Sequence, residues 1–174
     1  ALYDLLTVRE NLEVFGRLHG LDRNRAAERT RWALDWTGLS ARAGDRAESL
    51  SGGMRRRLNI ACSVLHEPAV LLLDEPTVGV DPQSRYRIWE MLGDLLERGG
   101  AILQSTHELD EIETLSDRTV ILDRGRVLAE GTRADLVART LDGGAPLTIR
   151  LDRPAPAAGV RGLSAAGDRL EGQL

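Results

Sequence analysis

Ala69-Val70-Leu71-Leu72-Leu73-Asp74-Glu75-Pro76 sets an unbroken apolar run against two adjacent acids and a proline. An apolar run without alternation is the pattern of a strand covered on both faces, as strands of parallel sheets are. Such a strand ends at the carboxyl edge of its sheet, where α/β proteins bind ligands, so the chain delivers Asp74 and Glu75 to a site. Two neighbouring carboxylates repel each other and call for a metal or a cationic partner. One of them can hold Mg²⁺, usually through water, while the other orients or deprotonates a water nucleophile. A strand followed by helix-capping acids accounts for Leu73–Thr77 equally well, and on these residues both readings stand.

Toward the C-terminus, Asp81 reads as the cap of a helix with Pro82 in its first turn. Ile88, Met91, Leu92, Leu95 and Leu96 line that helix, and Gly99-Gly100 end it. Ala101-Ile102-Leu103-Gln104-Ser105 is then a second buried strand, so strand, helix and strand make a right-handed crossover unit of a parallel sheet. His107 follows that strand and is expected at the same sheet edge as Asp74 and Glu75, where it could donate to a phosphate oxygen. An ordinary surface histidine is the other reading, and His19 and His66 receive only that one. Beyond it come a short acidic helix over Glu108–Leu115 and a hairpin of Thr119–Leu122 and Arg126–Ala129. Thr132 then caps a last helix through Arg139. From Leu141 the composition turns to Gly, Pro and Ala, with strands expected at Leu147–Leu151 and within Val160–Leu170.

Toward the N-terminus, Ser51-Gly52-Gly53 opens a helix whose apolar face is Leu58, Ala61, Cys62 and Leu65, closed by Pro68. A hydroxyl, two uncovered backbone N–H groups and the positive end of the helix dipole together suit an anion. A plain N-cap with a flexible lead-in is the alternative. Arg55, Arg56 and Arg57 point in three directions around the helix and read as solvated surface without a specific role. Thr7-Val8-Arg9-Glu10 is a capping box, and a second helix is expected from Asp22 to Thr37, stopped by Gly38. Both read as exposed helices with one narrow apolar stripe, and Ala41–Glu48 reads as a polar loop.

The 174 residues suffice for one ordinary domain, or one with a small appendage, and for a real core. A net charge of −4 gives no reason to expect nucleic-acid binding. All 23 basic residues are arginine; the sequence contains no lysine. The single cysteine, Cys62, excludes an internal disulfide and a multi-cysteine metal site, and reads as a small core residue. No run approaches the roughly 18 apolar residues of a membrane span, so a membrane role would require a partner.

Taken together, Leu50-Ser51-Gly52-Gly53-Met54, Leu71–Pro76, Gly79-Val80-Asp81-Pro82 and a histidine after the next strand closely resemble the nucleotide-binding domain of ABC transporters. The resemblance implies an α/β fold, the C-terminal half of a P-loop NTPase of ABC ATPase type, with a parallel sheet, flanking helices, a helical subdomain and a small β extension. It divides the chain into part of the helical subdomain (1–48), a core from signature motif to switch histidine (49–140) and a β-rich extension (141–174). Under it Leu50–Met54 is the signature motif, so that Ser51, Gly52 and Gly53 would meet the γ-phosphate of ATP held by a second nucleotide-binding domain. Asp74 closes the Walker B strand as the Mg²⁺ residue, Glu75 is the catalytic glutamate, Asp81 belongs to the D-loop and His107 is the switch histidine; Glu111 also suits the pattern. Met54, where glutamine is commoner, is a departure shared with drug- and polysaccharide-exporting branches. The extension after Leu141 resembles that of ATPases of the daunorubicin-resistance type. The implied partners are a second such domain, as a homodimer, and an integral membrane permease that holds the protein at the cytoplasmic face of the membrane.

The family's phosphate loop, GxxGxGK[ST], is absent, since it requires a lysine. With the chain opening on Ala1-Leu2-Tyr3, the expectation is of an ATP-binding subunit cut short at its N-terminus and inactive alone. Two other readings remain at this level: a non-catalytic regulatory or assembly module with the same fold, and a soluble ABC ATPase acting on ribosomes or DNA.

Overall fold

The computed structural model describes residues 1–140, 146–150, 163–166 and 169–173. The chain divides into two compact units, Ala1–Glu111 and Ile112–Leu174. The first contains helices α1 (Val8–Leu18), α2 (Arg23–Thr37), α3 (Gly52–Val64) and α4 (Pro82–Glu97), with strands β1 (Val70–Asp74) and β2 (Ala101–Ser105). The division falls within α5 (Leu109–Leu115).

Helix ends lie where the capping chemistry puts them. Thr7 Oγ1 accepts from Glu10 N while Glu10 Oε2 accepts from Thr7 N, so the capping box is complete. Asp22 accepts from the N–H groups of Asn24 and Arg25, and Gly38 ends α2 at φ 66°, a left-handed conformation that suits glycine. Two details differ from the sequence reading. Residues 41–48 do more than connect: the carbonyls of Asp45 and Ala43 accept from Val8 and Arg9 N–H, groups a helix start leaves without internal partners. And α2 has no narrow stripe, because Ala26, Arg29, Thr30, Ala33, Leu34, Trp36 and Thr37 are all buried. Arg29 can be buried because its guanidinium donates to the carbonyls of Leu65 and Val64 and pairs with Glu67.

Val8, Leu12, Ala33, Leu39, Leu58, Ala61, Val64 and Leu65 form the centre of the core, extended by Leu71 of β1 and by Ile88, Met91 and Leu92 of α4. Cys62 lies among them, and burial pushes its thiol pKa up to about 12. Strands β1 and β2 are parallel, with Asp74 opposite Ser105. The expectation of a doubly covered strand is corrected here: Leu71 is buried, but Leu72 is 70% exposed and Val70 57%. Among the described residues the strand pair is covered on one face only.

In the second unit, β3 (Thr119–Asp123) and β4 (Arg126–Gly131) form the expected hairpin. Arg124 and Gly125 both take positive φ at its turn, as a tight two-residue connection requires. Thr132 and Asp135 cap each other at the start of α6 (Arg133–Thr140). A three-stranded antiparallel sheet follows, β5 (Pro146–Arg150), β7 (Arg169–Gln173) and β6 (Leu163–Ala166), with β7 in the middle.

Candidate active site

Parallel pairing of β1 with β2 brings two chain segments to one edge. At that edge Ser105 Oγ donates to Asp74 Oδ1, and Glu75 N donates to Ser105 Oγ at 3.0 Å and to Ser105 O at 3.2 Å. Glu75 leaves the strand at φ 43°, in the left-handed region that non-glycine residues seldom occupy. This turn aims its carboxylate at His107, whose Nδ1 lies 2.9 Å from Glu75 Oε1. Both side chains are open to solvent, His107 at 64% and Glu75 at 45% exposure. A carboxylate paired with an imidazole at a sheet edge can hold and orient a water molecule.

Helix α3 approaches the same edge. Arg56 Nη2 donates to the Glu75 carbonyl at 2.6 Å, so the helix that starts at Ser51 is tied directly to the strained turn. This corrects the reading of three solvated arginines: Arg55 donates to Ala47 O and pairs with Asp4, and Arg57 donates to Thr37 O. Three directions around a helix led here to backbone carbonyls of three different segments, with exposed Asp4 as a further partner of Arg55. Burial holds the Arg57 guanidinium below its ordinary pKa, Arg87 adds to that, and Asp81 opposes it.

Ser51 caps α3 by accepting from Met54 N at 3.3 Å. Gly52 is exposed, and a Cβ built on it would meet nothing within 4 Å, which leaves its backbone open to an approaching anion. Gly53 is enclosed: a Cβ there would lie 2.2 Å from Ser84 Oγ and 3.2 Å from Asp81 Oδ2. The start of α3 thus packs against the start of α4 at a distance only glycine permits. Asp81 caps α4 by accepting from Ser84 N at 2.9 Å, and this bond holds its carboxyl below the usual carboxylate range.

The residues singled out in sequence therefore fall into two contacting groups, Asp74, Glu75 and His107 at the sheet edge, and Ser51–Gly53 with Asp81 where two helices begin. Sequence reasoning missed Ser105 and Arg56, which bind the first group together. For Ser105 a signal existed, since it ends the second strand in register with Asp74; for Arg56 none did, because its acceptor is a backbone carbonyl.

The oxygen donors at this edge suit Mg²⁺, which takes one or two carboxylates and completes its shell with water and phosphate. Among the described residues no three His, Cys, Asp or Glu side chains are grouped to hold a metal ion by themselves, and Asp74 offers one carboxylate at this edge.

A parallel α/β edge carrying this carboxylate pair, beside a Ser-Gly-Gly helix start, matches part of the P-loop fold of ABC ATPase domains. Solved structures agree: an ATP-binding subunit of an ABC transporter superposes with TM-score 0.72 at 33% identity, over 83% of this chain and 60% of that one. The cbiO1 protein of Clostridium perfringens, part of the ABC transporter complex cbiONQ, does so with TM-score 0.69 at 28% identity, over 80% and 55%. Residues 1–78 match the profile of the family described as ABC transporter. The linearmycin resistance ATP-binding protein LnrL of Bacillus subtilis (strain 168) is 45% identical over 139 residues, 80% of this chain and 45% of the relative. The daunorubicin resistance ATP-binding protein DrrA3 of Streptomyces coeruleorubidus is 44% identical over 140 residues, 80% and 44%. The Nod factor export ATP-binding protein I of Cupriavidus metallidurans is 44% identical over 131 residues, 75% and 43%. Over three quarters or more of its length the chain is similar to ABC transporter ATP-binding proteins. It spans less than half the length of these curated relatives.

Proposed function

We propose that this chain carries the signature-motif and Walker B half of an ATP-binding subunit that couples ATP hydrolysis to export of a drug-like or other small substrate. The observation that carries this reading is the Glu75–His107 contact at 2.9 Å beside Asp74, on the carboxyl edge of a parallel strand. Glu75 orients and deprotonates the attacking water, and His107 holds that carboxylate and faces the γ-phosphate. Asp74 holds Mg²⁺, which supplies charge neutralisation to the phosphates when bound. Ser51, Gly52 and Gly53 meet the γ-phosphate of a nucleotide seated on a second nucleotide-binding domain, most simply another copy, and Asp81 relays its presence across that interface. An integral membrane permease is the other partner, and it keeps the protein on the cytoplasmic face; among the described residues no helix is long and apolar enough to cross a membrane. The drug-resistance and export names of the relatives support the exporter assignment. The division into 1–48, 49–140 and 141–174 belongs to the same proposal.

The 174 residues alone are proposed to neither bind ATP tightly nor hydrolyse it, because no lysine is available to neutralise the β- and γ-phosphates. Micromolar MgATP affinity of this chain in a calorimetric titration would overturn that. The decisive experiment is Glu75→Gln in a chain joined to a lysine-bearing phosphate loop. ATP turnover is expected to fall by roughly 10²–10⁴-fold, the usual contribution of a general base. Near-wild-type turnover removes Glu75 from that role.

A further inference from the structure

Among the described residues, Glu111 alone of the acidic side chains is buried, at 1% exposure. Its Oε1 accepts a hydrogen bond from Thr77 Oγ1 and a long contact of 3.5 Å from Trp89 Nε1, while Oε2 is enclosed without a hydrogen-bond partner. A carboxylate placed so deep at an incompletely satisfied position is costly.

What the placement achieves is geometric. Thr77 lies two residues beyond Glu75, and Glu111 lies four residues beyond His107. The Thr77–Glu111 bond therefore closes a ring: Glu75, Pro76, Thr77, across to Glu111, back along the start of α5 to His107, and across to Glu75. Strand pairing at Asp74 and Ser105 fixes the base of this ring, and the buried bond fixes its far side. Arg85 adds a weaker tether to the same segment, 3.9 Å from Glu108, from one turn before Trp89 on α4. The Glu75–His107 contact cannot position itself, because a polar contact this exposed to solvent contributes little to holding its own partners in place.

We infer that Glu111 is a positioning residue: through Thr77 it holds the 76–80 loop and the segment before α5 in the arrangement that keeps His107 against Glu75. A consequence for hydrolysis rests on the function proposed above; the ring's geometry does not.

The test is heteronuclear NMR of the His107 ring nitrogens in this chain, with Glu75→Gln as the reference for a lost carboxylate partner. Thr77→Val removes the hydroxyl at nearly constant shape, and Glu111→Leu removes the acceptor. In both, the His107 ring signals should move most of the way to their Glu75→Gln positions, while those of His19 and His66 stay unchanged. Glu111→Gln retains an acceptor oxygen for Thr77 and should leave His107 close to wild type. A folded Thr77→Val chain, with native far-UV circular dichroism and unshifted His107 nitrogens, overturns the inference; should Glu111→Leu fail to fold, Thr77→Val decides alone. In a chain that hydrolyses ATP, Thr77→Val should lower kcat by roughly ten- to a hundredfold with KM unchanged, as misplacement of a reacting group does. Loss of turnover in Glu75→Gln together with normal turnover in Thr77→Val would spare the proposed function and sink only the role of Glu111.

Discussion

The helical part of the first unit and the strand pair that follows it are sealed to different degrees. Up to Leu65 the chain closes on itself: Val8, Leu12, Ala33, Leu39, Leu58 and Ala61 show no exposed surface. Most of its polar groups find partners, with Asn11 bonded to backbone atoms of Tyr3, Leu6 and Thr7 and Arg29 capping the end of α3, while Thr30 Oγ1, Trp36 Nε1 and Arg57 Nε are buried without a hydrogen-bond partner. The strands bury one face, through Leu71, and leave Val70, Leu72 and Leu103 in solvent at 57, 70 and 65% exposure. Burial therefore concentrates in the helices, whereas the proposed chemistry stands on the strand ends. Helix α3 is tied to the strand end through Arg56 and the Glu75 carbonyl, and Ile88 of α4 belongs to the same buried cluster as Leu71 of β1.

The sharpest contrast is between Leu58→Ala and Leu72→Ala. The first empties a fully buried position and should cost roughly 2–5 kcal/mol, read as a lower urea midpoint with an unchanged slope. The second should stay within about 0.5 kcal/mol. Equal losses would mean that the exposed strand face is covered in solution. Cys62 offers a parallel reading, since its enclosed thiol should resist a disulfide reagent until the helical part opens.

A smaller effect is expected where α3 meets α4. Gly53→Ala places a methyl group into Ser84, and overpacking of this kind costs roughly 1–3 kcal/mol. Pairing it with Ser84→Gly should recover most of the loss in a double-mutant cycle. Additive losses would show that the two helix starts do not share that contact.

The smallest effect concerns acid. His19 and His66 stack with ring centres 4.0 Å apart at the ends of α1 and α3. Burial, and then the neighbouring His19, hold His66 below the ordinary histidine value of about 6.5. The unfolded chain thus binds this proton more readily, so stability is full above that value and declines as pH falls from it toward the folded pKa. The urea midpoint of the wild type should begin to drop in that window, and His66→Gln should flatten the drop. Coincident profiles would remove the pair as its cause.

Legibility in the sequence followed the locality of the interaction. Thr7 with Glu10, Asp22 with Gly38, and Asp81 with Pro82 announce helix ends because cap and partner lie within a few residues. Glu75 and His107 were placed at one edge because parallel pairing of two strands brings both carboxyl ends to the same side of the sheet. The three arginines were misread because each reaches a carbonyl or carboxylate far along the chain, and a backbone acceptor carries no side-chain signature. The coverage of β1 was overstated for a related reason: an apolar run records what a strand can bury, while its neighbours decide what it does bury.

Local chemistry in the chain was enough to specify the helices, the two parallel strands and the order of the chemical groups along them. Tertiary structure alone decided that Gly53 must be glycine, that Arg56 grips the Glu75 turn, and that Glu111 is buried beside Thr77. Those contacts join residues separated by 19 to 34 positions, and only packing brings such partners together.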